Sequence, residues 1–323
     1  MLERLAGFIG GGMVELARVR SENNEMVLYE QSSFVSRDFS NLESILQLYL
    51  KKSTTKIDVA CFGVAGPVIN NEVRTTGLRW LIASQNIESK FSFAKVVLVN
   101  DIVATVHGLS HLGSDKFFQI NAGKPVSGGN VGLIAAGNGL GEALIFHENG
   151  KSYPHASEGG HTDFAPANQT EHKLWEYLYA NNGTVEVEDV VSFRGLISIY
   201  EFILDDRGAT SAEWYENADD KAAAIIEHAI SSKDPHAERA LSIFIDCYAS
   251  EAANLALKGM TLGGIYIGGL IAPQIVTALD TAQFMERFRK KGKMESLLAD
   301  IPIGIIIEEK TPLLGAARLA LFS

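Results

Sequence analysis

Cysteine is almost absent from the chain: Cys61 and Cys247 are the only two in 323 residues, far apart and each inside apolar text. With no Cys-x-x-Cys pair and no Cys/His group at ligand spacing, a disulfide framework and a zinc module are excluded, and two buried thiols in a reducing compartment are expected. Positive charge is also scarce. The 28 Lys+Arg against 39 Asp+Glu give a formal net charge of −11 with no long basic run, which argues against nucleic acid, whose binding is driven by cations neutralising phosphates. No stretch reaches the ~18 uninterrupted apolar residues of a membrane span, and the opening residues carry too short an apolar run for a secretory signal. A cytoplasmic protein without a membrane partner is expected. There is no Gly-Lys-Ser/Thr phosphate loop, no convincing Gly-x-Gly-x-x-Gly opening a helix, and no Gly-x-Ser-x-Gly of a serine hydrolase.

What is present is a core. A hydrophobic content of 46% against 21% charged residues, over 323 positions, suffices for about two domains. The 30 glycines bunch in short turns beside β-rich runs, where the backbone needs positive φ or close approach. Residues 5–9, 13–19 and 26–31 read as strands around Gly10-Gly11-Gly12 and a polar turn. Ser40 followed by Glu43 reads as a capping box opening a helix with Leu42, Ile45, Leu46, Tyr49 and Leu50 on one face. The continuous apolar runs 57–64 and 95–99 suit buried strands of a covered sheet.

A second cycle starts near Gly132: strand 133–136, Gly137-Asn138-Gly139, strand 140–146, a turn, and strand 151–154. Gly12-Met13-Val14-Glu15 matches Gly139-Leu140-Gly141-Glu142 in part, a weak internal repeat of two hairpins, and two similar halves would create a cleft between domains. Two unrelated glycine hairpins would read the same. Helical spacing follows over 172–179, 187–191, 196–204, 219–230 and 235–258, then short β-branched runs at 265–267 and 301–307. Strands alternating with helices predict an α/β fold of two domains.

Four segments could carry chemistry. Asn100-Asp101 ends a buried strand, which places a carboxylate at the crevice edge of an α/β sheet, where it can take a proton from a hydroxyl; the alternative is a helix N-cap. Ser157-Glu158-Gly159-Gly160-His161-Thr162-Asp163 concentrates two carboxylates and an imidazole, a donor and acceptor set suited to a polyhydroxylated ligand; the alternative is a polar surface turn. The glycine turns 10–12 and 137–139 could point backbone N–H groups at an anion. Glu188 reads as an ordinary helix-surface glutamate.

Taken together, Phe62-Gly63-Val64-Ala65-Gly66-Pro67, Val99-Asn100-Asp101, Ala136-Gly137-Asn138-Gly139-Leu140-Gly141-Glu142-Ala143, the stretch 157–166, the Glu188 segment, residues 263–273 and Pro312-Leu313-Leu314-Gly315-Ala316 resemble bacterial glucokinases of the hexokinase/actin-like superfamily. The resemblance covers nearly the whole chain. It implies a two-domain actin-like (ribonuclease H-like) α/β fold with an interdomain cleft, split into residues 1–112 plus 311–323 and residues 113–310. It implies transfer of the γ-phosphoryl group of ATP to the 6-hydroxyl of glucose, with Mg²⁺, and a homodimer. By position, Asp101 is the base, Asn100, Glu158, His161 and Glu188 hold sugar hydroxyls, and Gly10, Gly11, Gly12, Gly137, Asn138, Gly139 and Gly269 line the nucleotide.

The chain also departs from the family's text. Where the family carries Asp-x-Gly-Gly-Thr, with the Asp supporting Mg²⁺, this chain has Phe8-Ile9-Gly10-Gly11-Gly12. A Gly-Thr-Gly becomes Gly137-Asn138-Gly139, a Thr-Asn becomes Thr76-Gly77, a Ser-Gly-Pro-Gly becomes Ser192-Phe193-Arg194-Gly195, and a Gly-Gly-Ile becomes Gly269-Leu270-Ile271. Three readings therefore stay open: a working glucose kinase, a kinase for another hexose or another donor, and a sugar-binding protein of the same fold that senses or regulates without turnover.

Overall fold

The computed structural model describes residues 3–23, 25–51, 55–75 and 78–322; the Thr76-Gly77 departure lies outside them. The chain forms two compact units, Met1–Ser114 with Glu308–Ser323 and Asp115–Ile307.

In the first unit β1 (Glu3–Gly10) and β2 (Met13–Glu22) form a hairpin whose two turn residues, Gly11 and Gly12, have φ of 58° and 80°. Positive φ at both positions is what a tight two-residue turn between twisted strands demands, and glycine meets it without strain. There follow β3 (Glu25–Val35), α1 (Leu42–Leu50), β4 (Ile57–Val64), a small sheet of β5 (Val68–Ile69), β6 (Glu72–Arg74) and β7 (Leu81–Ala83), then α2 (Ser84–Phe91), β8 (Lys95–Asn100) and α3 (Asp101–Leu109). The main sheet runs β3-β2-β1-β4-β8, with β1, β4 and β8 parallel.

Helix α1 does not begin with the expected Ser40 box. Asn41 is its cap, accepting the Ser44 N–H at 2.9 Å, while the Ser40 hydroxyl lies 3.3 Å from that of Ser44. The residue directly before the helix reaches the third amide; Ser40 stands one position too far out.

The second unit comprises β9 (Phe117–Asn121), β10 (Val131–Ala136), β11 (Leu140–Glu148), β12 (Lys151–Ser157), α4 (Gln169–Asn182), α5 (Phe193–Arg207), α6 (Glu213–Glu216), α7 (Lys221–Ile230), α8 (Pro235–Gly259), β13 (Gly264–Gly269), α9 (Ala272–Ile275), α10 (Thr281–Arg289), α11 (Glu295–Ala299) and β14 (Ile303–Ile306). Its sheet order, β12-β11-β10-β13-β14-β9, repeats the first sheet's order over five strands. The weak textual repeat is thus a repeat of topology. The helix expected over 187–191 is a single 3₁₀ turn, Val187–Asp189. Glu186 and Asp189 close it with reciprocal caps, and Ser192 then caps α5 by accepting the Gly195 N–H at 3.0 Å. No length of chain remains for a helix between two caps.

Helix α8 is buried along most of its length, and its Tyr248 hydroxyl accepts from Ala136 N at 3.1 Å and lies 3.2 Å from the carbonyls of Ile134 and Gly268. At the edge of that core Arg287 donates to both carboxylate oxygens of Glu171, at 2.9 and 2.8 Å, fixing α10 against the start of α4. Nη2 of Arg287 is thus shared between both carboxylate oxygens, a charge-assisted pair that satisfies charges otherwise costly to bury.

The last helix, α12 (Thr311–Phe322), returns to the first unit and lays Leu313, Ala316, Ala317 and Ala320 against Ala6, Ala17 and Cys61. Contact with α3 is at backbone distance. A Cβ on Gly315 would come 1.6 Å from the Ala104 carbonyl oxygen, and one on Gly108 would come 2.2 Å from that of Thr311. Among the described residues no helix is long and apolar enough to cross a membrane. Overpacking a fitted contact costs about 1–3 kcal/mol, so Gly315→Ala and Gly108→Ala are each expected to lower stability by at least that much, read from the midpoint of urea unfolding.

Candidate active site

The first unit supplies Asn100 and Asp101 where β8 becomes α3. Asn100 is the helix cap: its Oδ1 accepts the Ile102 N–H at 3.0 Å, and its Nδ2 donates to the Gly66 carbonyl at 3.2 Å. Asp101 also accepts from Ile102 N, at 2.9 Å, and its carbonyl takes the Thr105 hydroxyl at 2.9 Å. The carboxylate sits half-buried at the positive end of a helix and at the carboxyl edge of parallel strands, a placement that favours its charge. Gly63 makes room: a Cβ there would fall 2.8 Å from that of Ala104.

Strand register sets what lies beside it. Ser33, Glu15, Phe8, Gly63 and Val99 are successive partners across the sheet, and directly opposed residues share a face. Phe8, where the resemblance puts an acid, folds its ring over Gly10, with ring carbons 2.7 and 3.0 Å from where a Cβ would stand. The nearest carboxylate along that row belongs to Glu15; burial pushes it above 4.5, with Lys310 opposing and Glu309 adding. A phenyl ring offers no oxygen, and among the described residues no group of three His, Cys, Asp or Glu side chains could hold a metal. The first hairpin therefore does not fit a protein-held Mg²⁺. The Gly12 carbonyl accepts from Ser36 N (3.0 Å) and Ser36 Oγ (2.7 Å).

The second unit supplies the loop. Gly159–His161 is a 3₁₀ turn, and His161 places Nδ1 2.7 Å from Glu186 Oε2 and Nε2 4.0 Å from Glu158 Oε2. Glu186 was not singled out in the sequence; its only signal was its place in an acidic run before Glu188. Backbone bonds Phe164 N to Val185 O and Val187 N to Thr162 O, both 2.9 Å, stitch the two segments together. Glu188 is not a helix-surface residue. Its Oε2 accepts the Leu140 N–H at 2.8 Å, and a Cβ on Gly139 would fall 2.6 Å from that oxygen. The structure thus brings Glu158, His161 and Glu186 together, with Glu188 tied to the second glycine turn. Asn100 and Asp101 belong to the other unit.

The second turn is closed by Gly137 N to Gly139 O and by Phe193 N to Gly137 O, both 2.8 Å, leaving Asn138 exposed. Gly269 has φ of 85°, and a Cβ there would strike the Ala136 carbonyl oxygen at 2.2 Å. Leu270 rests on Gly137 at van der Waals distance, whereas Phe193 packs against the core of its unit.

The Glu186 hydrogen bond raises the His161 pKa above 6.5, with the charges of Glu188, Glu186 and Glu158 adding and burial opposing. Stability from this pair is present below 6.5 and is lost as pH rises through the folded value. Glu186→Gln is expected to bring the imidazole back towards 6.5, as measured by an NMR titration of its ring protons.

A family model described as Glucokinase matches residues 5–322. A glucokinase of Nostoc sp. is 36% identical over 336 residues, covering 98% of this chain and 98% of that protein. Among solved structures, a glucokinase from an Antarctic psychrotroph superposes with a TM-score of 0.84 at 29% identity, covering 100% of both chains. A Balamuthia mandrillaris glucokinase in complex with glucose reaches 0.84 at 22% identity, over 99% of this chain and 94% of that one, a likeness of fold. The fold is the two-domain actin-like α/β fold of the sugar kinases. This chain belongs to the glucokinase family.

Proposed function

We propose that this chain is an ATP-dependent glucose kinase in which Asp101 is the base. The observation that carries the reading is the placement of Asp101, at the carboxyl end of β8 and the start of α3, held there by the Asn100 cap. Asp101 takes the proton of the sugar 6-hydroxyl as the O6–Pγ bond forms and the bond from Pγ to the β,γ-bridging oxygen breaks, and ADP leaves. Phosphoryl transfer asks the protein for positioning and charge stabilisation rather than covalent chemistry.

Glu158, His161 and Glu188 hold sugar hydroxyls. With Nδ1 donating to Glu186, His161 presents Nε2–H, and its raised pKa keeps that donor charged at lower pH. The turns at Gly10-Gly11-Gly12 and Gly137-Asn138-Gly139 offer backbone N–H groups to the nucleotide phosphates. Magnesium enters as part of the MgATP substrate.

Asp101→Asn is expected to lower kcat by about 10²–10⁴, the usual worth of a positioned general base, with glucose binding retained; an unchanged rate in a coupled assay would refute the assignment. A second reading, sugar binding without turnover, is favoured by the Phe8 ring on Gly10, and a wild type that binds glucose but forms no ADP would establish it. Phe8→Asp restores a carboxylate to the hairpin and is expected to raise kcat/KM for MgATP by about tenfold or more. It should also lower the melting temperature, because Glu15 stands directly opposite and like charges in that position repel.

A further inference from the structure

Beneath the Glu158–His161 loop lies a carboxyl group that the proposed mechanism does not use. Glu142 is 2% exposed, and among the described residues its Oε1 has no hydrogen-bond partner. Its other oxygen touches the loop: a Cβ on Gly159 would fall 1.9 Å from Oε2. From α8, Glu251 and Lys258 face it, with Tyr248 on the same helix; β12 presents Ser157 in register, and the loop presents the backbone of Gly159. Glu251 is itself 5% exposed and shared between Asn254 at 2.8 Å and Lys258 at 3.4 Å.

We propose that Glu142 is a positioning residue for the sugar loop: protonated, it is the surface on which Gly159 rests, and loss of that proton unseats the loop. The inference rests on the glucose reading above.

An ionised carboxylate at this depth would have little water, with Oε1 unpaired among the described residues, and would stand beside the buried carboxylate of Glu251. Burial accordingly pushes Glu142 up to about 7, the Glu251 charge adding and Lys258 opposing. A carboxyl raised on folding stabilises the native state most below 4.5 and loses that contribution as pH rises through about 7. The charge then appears against Gly159, which lies between Glu158 and His161. Sugar affinity should fall while the chemical step, which belongs to Asp101, stays as it was.

The test compares wild type with Glu142→Gln, the uncharged isostere, at pH 6 and pH 8.5, reading glucose Kd by calorimetry, kcat, and melting temperature. Relative to Glu142→Gln, which cancels the His161 titration common to both, the wild-type Kd should rise up to about thirtyfold, the ratio of protonated fractions for a group titrating near 7. The ratio of kcat values should not change, and the melting temperature of Glu142→Gln should gain on wild type as pH rises. Glu251→Gln guards against a misfolded first variant: it should move the wild-type binding midpoint to lower pH, and an unmoved midpoint overturns the proposal. Glucose binding with the same pH dependence in wild type and Glu142→Gln overturns this inference alone. A wild type that binds no glucose at pH 6 overturns the glucose reading and the inference together.

Discussion

Backbone lying directly on backbone at Leu140 is the constraint on which the loop of the second unit depends. The Leu140 N–H is held by Glu188 at 2.8 Å, and its carbonyl oxygen lies where a Cβ on Gly160 would come within 2.3 Å. Gly159 makes the same approach to Glu142, and Gly139 to Glu188. A side chain at Gly160 would strike the Leu140 backbone and lift the loop off β11, whereas one at Gly159 or Gly139 would push aside the carboxylate of Glu142 or Glu188. The glycines are there for proximity rather than for flexibility, and none of the three needs positive φ.

The first unit uses the same device between helices. Gly63 under Ala104, Gly108 under Thr311 and Gly315 under Ala104 bring β4, α3 and α12 to distances at which a methyl group does not fit. Asp101 is therefore placed by the packing of the helix it opens, and Asn100 fixes the entry into that helix through Gly66 and Ile102. The sequence alternatives for this segment, cap or base, are not exclusive. The amide and the carboxylate both accept from Ile102 N, so capping holds Asp101 at the strand edge, where the proposed function uses it as the base.

Some of this was legible in the sequence and some was not, for a physical reason. The buried strand Ile57–Val64 appeared with its true bounds because a continuous apolar run ending at Ala65-Gly66-Pro67 is a local signal. The two glycine hairpins appeared for the same reason, and the family resemblance brought Asp101, Glu158 and His161 with it. Glu186 and Glu142 carried no such mark. What defines the first is an imidazole 2.7 Å away across 25 positions of chain, and what defines the second is burial against α8, more than a hundred positions on. The misplaced cap at Ser40 and the helix expected at 187–191 failed on competition between neighbouring caps, which spacing rules treat one at a time.

The two hairpins, equivalent in topology, treat their partner positions differently, and this shows where the chain tolerates change. Glu15 and Glu142 occupy matching places on β2 and β11, opposite Phe8 and Ile134. Phe8 alternates with Ala6 on β1, and that face packs on the small side chains of α12, with the Phe8 ring joining the same apolar layer. An apolar residue at position 8 is therefore compatible with the fold, because its half-buried ring packs on that apolar layer and covers Gly10. The proposed chemistry has less tolerance, since a transferring phosphoryl group needs fixed donors and charge. In the proposed function, a hairpin with Phe8 in this place meets phosphate with backbone N–H groups alone. The second unit's loop keeps Glu158, His161 and Glu186 together, so in the proposed function the altered hairpin should weaken nucleotide use more than sugar binding.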